Sequence, residues 1–203
     1  MSESLIKLPP PELKGRKSLE EIIAARRSVR RYQADPLSLS QLSQLLWSAQ
    51  GITAAGRFRA IPSAGATFPL EVYVLAGEQT VENLSAGIYY YEVNSHALSL
   101  HLAGDFRADL AEAALGQSFL AICPVNLVIC ALFTKTTRRY GERGKMYVHI
   151  EAGHLGQNIA LQAVALGLAT VMVGAFDNDQ VSKVLALKEQ IKPIYIIPVG
   201  KPA

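Results

Sequence analysis

The chain has 203 residues, half of them hydrophobic and 18% charged, which is enough to bury one substantial core and too apolar for a disordered or fibrous chain. Twenty Lys and Arg against seventeen Asp and Glu leave a net charge of +3, far short of the field a dedicated nucleic-acid binder carries. Cys123 and Cys130 share one apolar segment at no metal-ligand spacing, which argues against zinc and against a disulfide framework and suits a reducing cytoplasm.

Residues 1–17 form a Pro-rich arm in which Pro9, Pro10 and Pro11 hold the backbone extended, of the kind that lies over a surface or a partner subunit. Their sequence lacks the charged start, apolar stretch and cleavage site of a secretory signal. Ser18 with Glu21 then reads as a capping box, and Leu19, Ile22 and Ile23 as the apolar stripe of a short helix running to about Arg26. The same signature returns at Ser38 with Gln41, ahead of Leu39, Leu42, Leu46 and Ala49, and at Asp177 with Gln180, ahead of Val181, Val184 and Leu185.

Strands are expected at Leu70–Ala76, Ile88–Val93, Ala97–Leu102, Val125–Phe133, Thr170–Val173 and Ile194–Val199, each rich in β-branched, aromatic or aliphatic residues. Leu98, Leu100 and Leu102 alternate with Ser99 and His101, which predicts one wet face, and the Asn94, Ser95, His96 turn joins this strand to the preceding one as a hairpin. Asp105–Leu115 reads as a helix, and the longest helix falls between Met146 and Leu168. Its small residues Ala152, Gly156, Ala160, Ala163 and Gly167 would let another helix or a flat ligand approach closely. The stretch without formal charge from Ala152 to Phe176 contains His154, Gln157, Asn158 and Gln162, so it reads as a buried helix entering a buried strand rather than a membrane span. No repeat or linker divides residues 18–203, so one mixed α and β domain follows the arm.

Three constellations could carry chemistry. In Arg26, Arg27, Ser28, Val29, Arg30, Arg31 an extended backbone would turn Arg26, Ser28 and Arg30 to one side, a set suited to a phosphate, although a solvated basic turn at a helix end has the same composition. Pro62, Ser63, Ala64, Gly65 and Ala66 make a small-residue loop whose backbone could approach a planar heterocycle or serve as an ordinary connection. Arg138, Arg139, Arg143 and Lys145, interleaved with Tyr140 and Tyr147, could meet an acidic substrate, a nicotinamide phosphate or RNA, or simply be a solvated loop. Tyr147 and Lys145 are the nearby candidate proton donors.

Metal chemistry is not expected. His149 and His154 are five residues apart, about 140° around a helix axis, whereas helical metal-binding histidines want a spacing of four. There is no GxGxxG after a strand, and Gly144-Lys145 precedes Met146 where a P-loop needs Ser or Thr. With no hydrolase triad either, weight moves to a cofactor that brings its own reactivity.

In order, RRSVRRY at 26–32, PSAGATFPLEVYV at 62–74, GIYYYEVNSHAL at 87–98, EAGHLGQNIALQAVALGLATVMVGAF at 151–176 and PVGKP at 198–202 resemble the nitroreductase superfamily of FMN-dependent oxidoreductases, most of all its SagB-type branch, which includes azoline-oxidising dehydrogenases for peptide natural products. The resemblance implies an α+β fold of three layers, a mixed central β-sheet flanked by helices, in a homodimer with flavin sites at the interface and a small-molecule substrate, without nucleic acid or membrane. It implies that Arg26, Arg27, Ser28 and Arg30 hold the FMN phosphate and ribityl chain, with Gly200 and Lys201 completing that site. The loop Pro62, Ser63, Ala64, Gly65, Ala66 would reach the flavin from the second subunit, Val173, Gly174 and Ala175 would line the isoalloxazine edge, and the long helix would build the dimer core. Many members continue past the last strand with further cations, so here Lys201 stands alone, and Met172 takes a place often held by proline. The additional N-terminal region of the longer peptide-modifying dehydrogenases is missing from this sequence, which favours a free-standing cytoplasmic reductase. Its FMN would pass a hydride through N5 from NADH or NADPH to a nitroaromatic or quinone-like acceptor. An azoline dehydrogenase and a non-catalytic flavin-binding module are the alternatives.

Overall fold

The computed structural model describes residues 5–54 and 58–203. In chain order the elements are β1 (Ile6–Lys7), α1 (Leu19–Ala25), α2 (Leu39–Gln50), β2 (Ile52–Ala54), β3 (Phe58–Arg59), β4 (Leu70–Ala76), β5 (Gly87–Glu92), β6 (Ala97–Ala103), α3 (Arg107–Ala113), α4 (Phe119–Ile122), β7 (Val125–Ala131), α5 (Thr134–Tyr140), α6 (Arg143–Ala165), β8 (Ala169–Thr170), α7 (Asn178–Val184) and β9 (Lys192–Gly200). Seven strands form one sheet in the order β1-β6-β5-β4-β7-β9-β8, antiparallel in every ladder, while β2 and β3 pair apart from it. Parallel pairing enters at isolated bridges such as Ser28 to Thr170.

The central strands are apolar on both faces because both faces are covered. On β4, Leu70, Val72, Val74 and Ala76 join one core with α2 and α6, while Tyr73 and Leu75 join the other with α3 and α7. On β7, Leu127 and Ile129 face the first and Val128 and Cys130 the second. The result is the three-layer α+β arrangement, with each fully buried Leu or Ile side chain contributing roughly 1.5–3 kcal/mol.

Both capping boxes form: Ser18 Oγ accepts from Glu21 N–H (3.2 Å) while Glu21 accepts from Ser18 N–H (2.7 Å), and Ser38 and Gln41 do the same at 3.1 and 2.9 Å. Asp177 accepts from Gln180 N–H at the start of α7. The long helix begins three residues earlier than expected, at Arg143. Ala152, Gly156, Ala160 and Ala163 lie on its buried side. Gly167, by contrast, has φ +73° and lies beyond the helix end, where Leu168 N–H returns to Ala163 carbonyl at 2.8 Å, so it stops the helix instead of extending the stripe.

Two expectations change, and the placement of the arm falls on one of its two alternatives. The β6 alternation breaks at a bulge: Tyr89 pairs with Leu100 and Ile88 with Leu102, leaving His101 unpaired between them. The extra residue moves Leu102 to the core opposite the one that holds Leu98, and His101 turns to the Leu185 carbonyl at 2.8 Å; Ser99 is buried and Leu100 exposed. On α1, Leu19 and Ile23 are more than half exposed, and none of its residues is buried. The N-terminal arm lies on its own domain: β1 pairs with β6, Ser43 Oγ donates to the Pro9 carbonyl (2.5 Å), and the His96 ring lies within hydrogen-bond reach of Ser43, Tyr91 and Pro9.

Candidate functional site

Beyond Arg26 the chain is extended, as the alternation of the arginine segment requires. Val29 N–H donates to the Thr170 carbonyl (3.0 Å), Gln33 N–H to the Lys201 carbonyl (3.0 Å) and Ala203 N–H to the Arg31 carbonyl (3.2 Å). Val29 and Tyr32 pack inward against Ala169 and Cys123, while Ser28, Arg30 and Arg31 face solvent. Among the described residues no side-chain hydrogen bond engages Arg26, Ser28 or Arg30, and the buried Thr170 hydroxyl beside them has no partner. Arg27 departs from the set. Its guanidinium turns back to the Ala24 and Arg26 carbonyls (2.9 and 2.8 Å), where it caps the end of α1. Lys201 pairs with Asp35 at 2.9 Å, half-exposed. Gly200 is buried under Tyr32 and Pro124, and a Cβ there would come 2.8 Å from the proline ring.

The segment after β8 continues this edge. Val173 exchanges both backbone hydrogen bonds with Ile196 (2.9 and 3.0 Å), and Gly174 and Ala175 then emerge exposed. Met172 has a packing reason: its side chain covers Gly156 of α6, where a Cβ would lie 3.3 Å from Met172 Cγ.

The small-residue loop lies elsewhere, against α5 and α6. Ala64–Ala66 form a single tight turn in which Gly65 (φ +60°), Ala66 (φ +53°) and, just beyond, Phe68 (φ +44°) are left-handed. Gly65 is required twice, by its φ and because a Cβ would meet Tyr140 Oη at 2.6 Å. Arg139 donates to the Gly65 carbonyl (3.2 Å), and the Thr67 and Thr136 hydroxyls bond at 2.8 Å. Ser63 Oγ accepts from Phe68 N–H (2.9 Å) and donates to Glu151 Oε2 (2.6 Å).

Beside the loop, Tyr140 and Tyr147 stack edge to face at 5.2 Å, with Arg139 and Arg143 over their rings. Lys145 is exposed and pairs with Glu142 at 2.8 Å. His149 packs on Phe133 at 5.4 Å and His154 is exposed.

Sequence reasoning missed the buried polar centre beneath this loop. Glu151 is 2% exposed. Burial pushes its carboxyl up to about 7, against the opposing effects of the Ser63 hydrogen bond and the Arg59 charge. Arg59 donates to Gln50 Oε1 (2.7 Å) and lies 4.2 Å over the Phe68 ring. Burial lowers its guanidinium from the ordinary value, with the Glu151 charge opposing that shift. Gln50 Nε2 and Glu151 Oε1 are buried without partners among the described residues. A signal existed: Val148, Glu151, Ala152, Leu155 and Ile159 fall at the spacing of a buried helical stripe, so Glu151 sits in the core by position.

A seven-stranded antiparallel sheet covered by helices on both faces, with an extended cationic segment stitched to its edge, defines a three-layer α+β domain. Residues 23–201 match the model of the nitroreductase family, and the chain belongs to that family. It is 44% identical over 183 residues, 90% of each chain, to a protein of Methanocaldococcus jannaschii assigned to the nitroreductases. It is 28% identical over 165 residues to the microcin B17-processing protein McbC of Escherichia coli, covering 79% of this chain and 61% of that protein. A crystal structure from Ralstonia eutropha, assigned likewise to the nitroreductases, superimposes with a TM-score of 0.86 at 28% identity over all of this chain and 92% of the other. The resemblance to the superfamily and its SagB-type branch is borne out.

Proposed function

We propose that the protein is an FMN-dependent oxidoreductase that passes a hydride from NADH or NADPH to an electron-poor small molecule, nitroaromatic or quinone-like. One observation carries the reading: the 26–31 segment is held extended by Thr170 and the 201–203 segment, so that the side chains of Arg26, Ser28 and Arg30 are presented with no partner among the described residues. Two guanidinium forks, a hydroxyl, the neighbouring Lys201 ammonium and the unpartnered Thr170 hydroxyl are a donor set that fits a phosphate and a polyol chain. The exposed, side-chain-poor Gly174–Ala175 edge suits a flat heterocycle, because backbone groups can approach it unobstructed.

Bound FMN would supply hydride chemistry at N5. The chain's residues bind and orient: the arginine segment fixes the phosphate end, the 173–175 edge the ring, and the 62–66 loop closes one side. Reduction of the acceptor by hydride would also require one proton, for which Tyr147 and Lys145 are the candidate donors.

We further infer a homodimer. Within one protomer the loop 62–66 and the arginine segment are anchored on different faces, and α6 turns Met146, Ile150, Gly153 and Gln157 outward without a charge among them. Helix α1 is seven residues with nothing buried, too short to persist without a packing partner. Its Leu19 and Ile22 line a groove with Trp47, Leu161 and Ala165.

The test is the visible spectrum of the purified protein before and after anaerobic NADH or NADPH. A flavin band that bleaches supports the reductase. A band that persists with both donors favours the second reading, azoline oxidation, which the similarity to the microcin B17-processing protein keeps open, or a non-catalytic flavin module. No band after incubation with FMN sinks the proposal.

A further inference from the structure

We propose that Glu151 is the positioning residue of the 62–68 loop: through the Ser63 hydroxyl, its carboxylate holds Ala64–Ala66 in the conformation with which the loop meets the flavin. The inference deepens the function proposed above and rests on it. The loop bends through three left-handed residues, of which only Gly65 adopts that conformation without steric cost. Such a bend persists only when its surroundings over-determine it. Its outer side is held by Arg139 at a solvent-exposed contact and by the Thr67 hydroxyl on the buried Thr136. Its inner side is held at one atom, Ser63 Oγ, which takes the Phe68 N–H across the bend and gives its proton to Glu151.

A carboxylate is a costly way to anchor a hydroxyl in the core, where an amide would serve if packing were the only demand. What the carboxylate adds is strength that depends on charge. A hydrogen bond to an ionised acceptor is shorter and roughly twice as strong as one to a neutral group. The groups facing Glu151 are Ser63 from the loop and Arg59 from β3, the latter tied in turn to Gln50 of α2. On its own helix Tyr147 and His154 lie one turn away, the first half-buried against Tyr140 and the second in solvent. Arg59 is the cation that favours the charged form, and burial opposes it. The balance falls near neutrality, so the hold on the loop tightens as pH rises through that range.

The experiment uses the full chain as wild type, Glu151→Gln and Ser63→Ala, the first substitution keeping shape and the second leaving Glu151 in place. Amide-exchange protection factors for residues 63–68 are measured from pH 6 to 8.5, and FMN dissociation constants by flavin fluorescence. Wild-type protection of residues 63–68, taken relative to that of the core strands β4 and β7 so that global stability cancels, should rise about fivefold to tenfold over the range, and both variants should be flat. The ratio of FMN dissociation constants, Glu151→Gln over wild type, should climb from near one at pH 6 to about fivefold at pH 8.5, and taking a ratio cancels the titration of the flavin phosphate. A purely structural role would shift the melting temperature and leave both pH profiles parallel to wild type, which would overturn the inference. If no variant binds FMN, wild type included, the functional reading falls, and the exchange profiles still decide for or against Glu151.

Discussion

Glu151→Gln has a second consequence, in stability, whose size follows from the same burial. The carboxyl ordinarily titrates at 4.5 and is pushed up to about 7 in the folded protein. Between those values the folded state holds a proton that the unfolded chain has released, so wild-type stability is greatest below 4.5 and falls as pH rises through 7. Each pH unit of that gap corresponds to about 1.36 kcal/mol, so the full penalty above pH 7 is about 3 kcal/mol. Glutamine has the same shape and keeps an acceptor for Ser63, but it cannot ionise. The stability difference between variant and wild type should therefore grow by about 3 kcal/mol in favour of the variant between pH 5 and pH 8, most steeply near pH 6. Urea unfolding of flavin-free protein at several pH values reads this directly, and because the comparison is of differences, any fixed packing change cancels. A difference that stays constant across the range would refute the reasoning, since it would mean that Glu151 ionises in the folded protein as it does in the unfolded chain. A more stable variant that holds FMN less tightly would be the trade-off expected of a functional carboxylate.

Arg30→Ala should weaken FMN binding about tenfold to a hundredfold, the loss of a charge-assisted bond worth about 1.5–3 kcal/mol; wild-type flavin content after purification would remove Arg30 from the phosphate site. The two thiols should resist a thiol reagent at pH 8 in the native protein and react after unfolding, because Cys123 is buried and pushed up to about 12 and burial at mid-strand raises Cys130 well above the ordinary thiol range. Rapid native labelling of either would show that the core between β7 and its covering helices opens.

Much of this architecture was legible because it rests on local signals. Ser18, Ser38 and Asp177 announced three helices through the side-chain oxygens that satisfy first-turn amides, and those bonds are present. Runs such as Leu70–Ala76, apolar on both faces, marked strands buried on both sides. What stayed illegible depends on distant partners. Two-residue strands like Ile6–Lys7 exist only because β6 offers an edge, and the bulge at His101 turns Leu102 to the core opposite Leu98 for reasons that lie in β5. The Arg26, Ser28, Arg30 alternation was readable from spacing, yet the diversion of Arg27 to the α1 carbonyls depends on where that helix ends. Glu151 belongs to no recognisable motif, and only its register on α6 places it in the core.

The division of the candidate site suggests a decisive test of its assembly. The arginine segment and the 173–175 edge are fixed to the β8–β9 end of the sheet, while the 62–66 loop is fixed to α5 and α6 through Arg139, Tyr140 and Glu151. If a flavin site combines the first group of one protomer with the loop of the other, lesions in the two groups complement each other. Arg30→Ala damages one half, and Gly65→Val damages the other by placing a β-branched residue at φ +60° against Tyr140. Random pairing of the two variants makes half the dimers mixed. Each mixed dimer carries one site with both lesions and one with none, so about one quarter of all sites should recover FMN. If the two groups belong to one site within a single protomer, every site in the mixture keeps one lesion and no recovery occurs. Co-expression of the two variants with a flavin-to-protein ratio as the readout separates these outcomes without any knowledge of the substrate, and a ratio no higher than that of either variant alone would place the loop and the arginines in the same protomer's site.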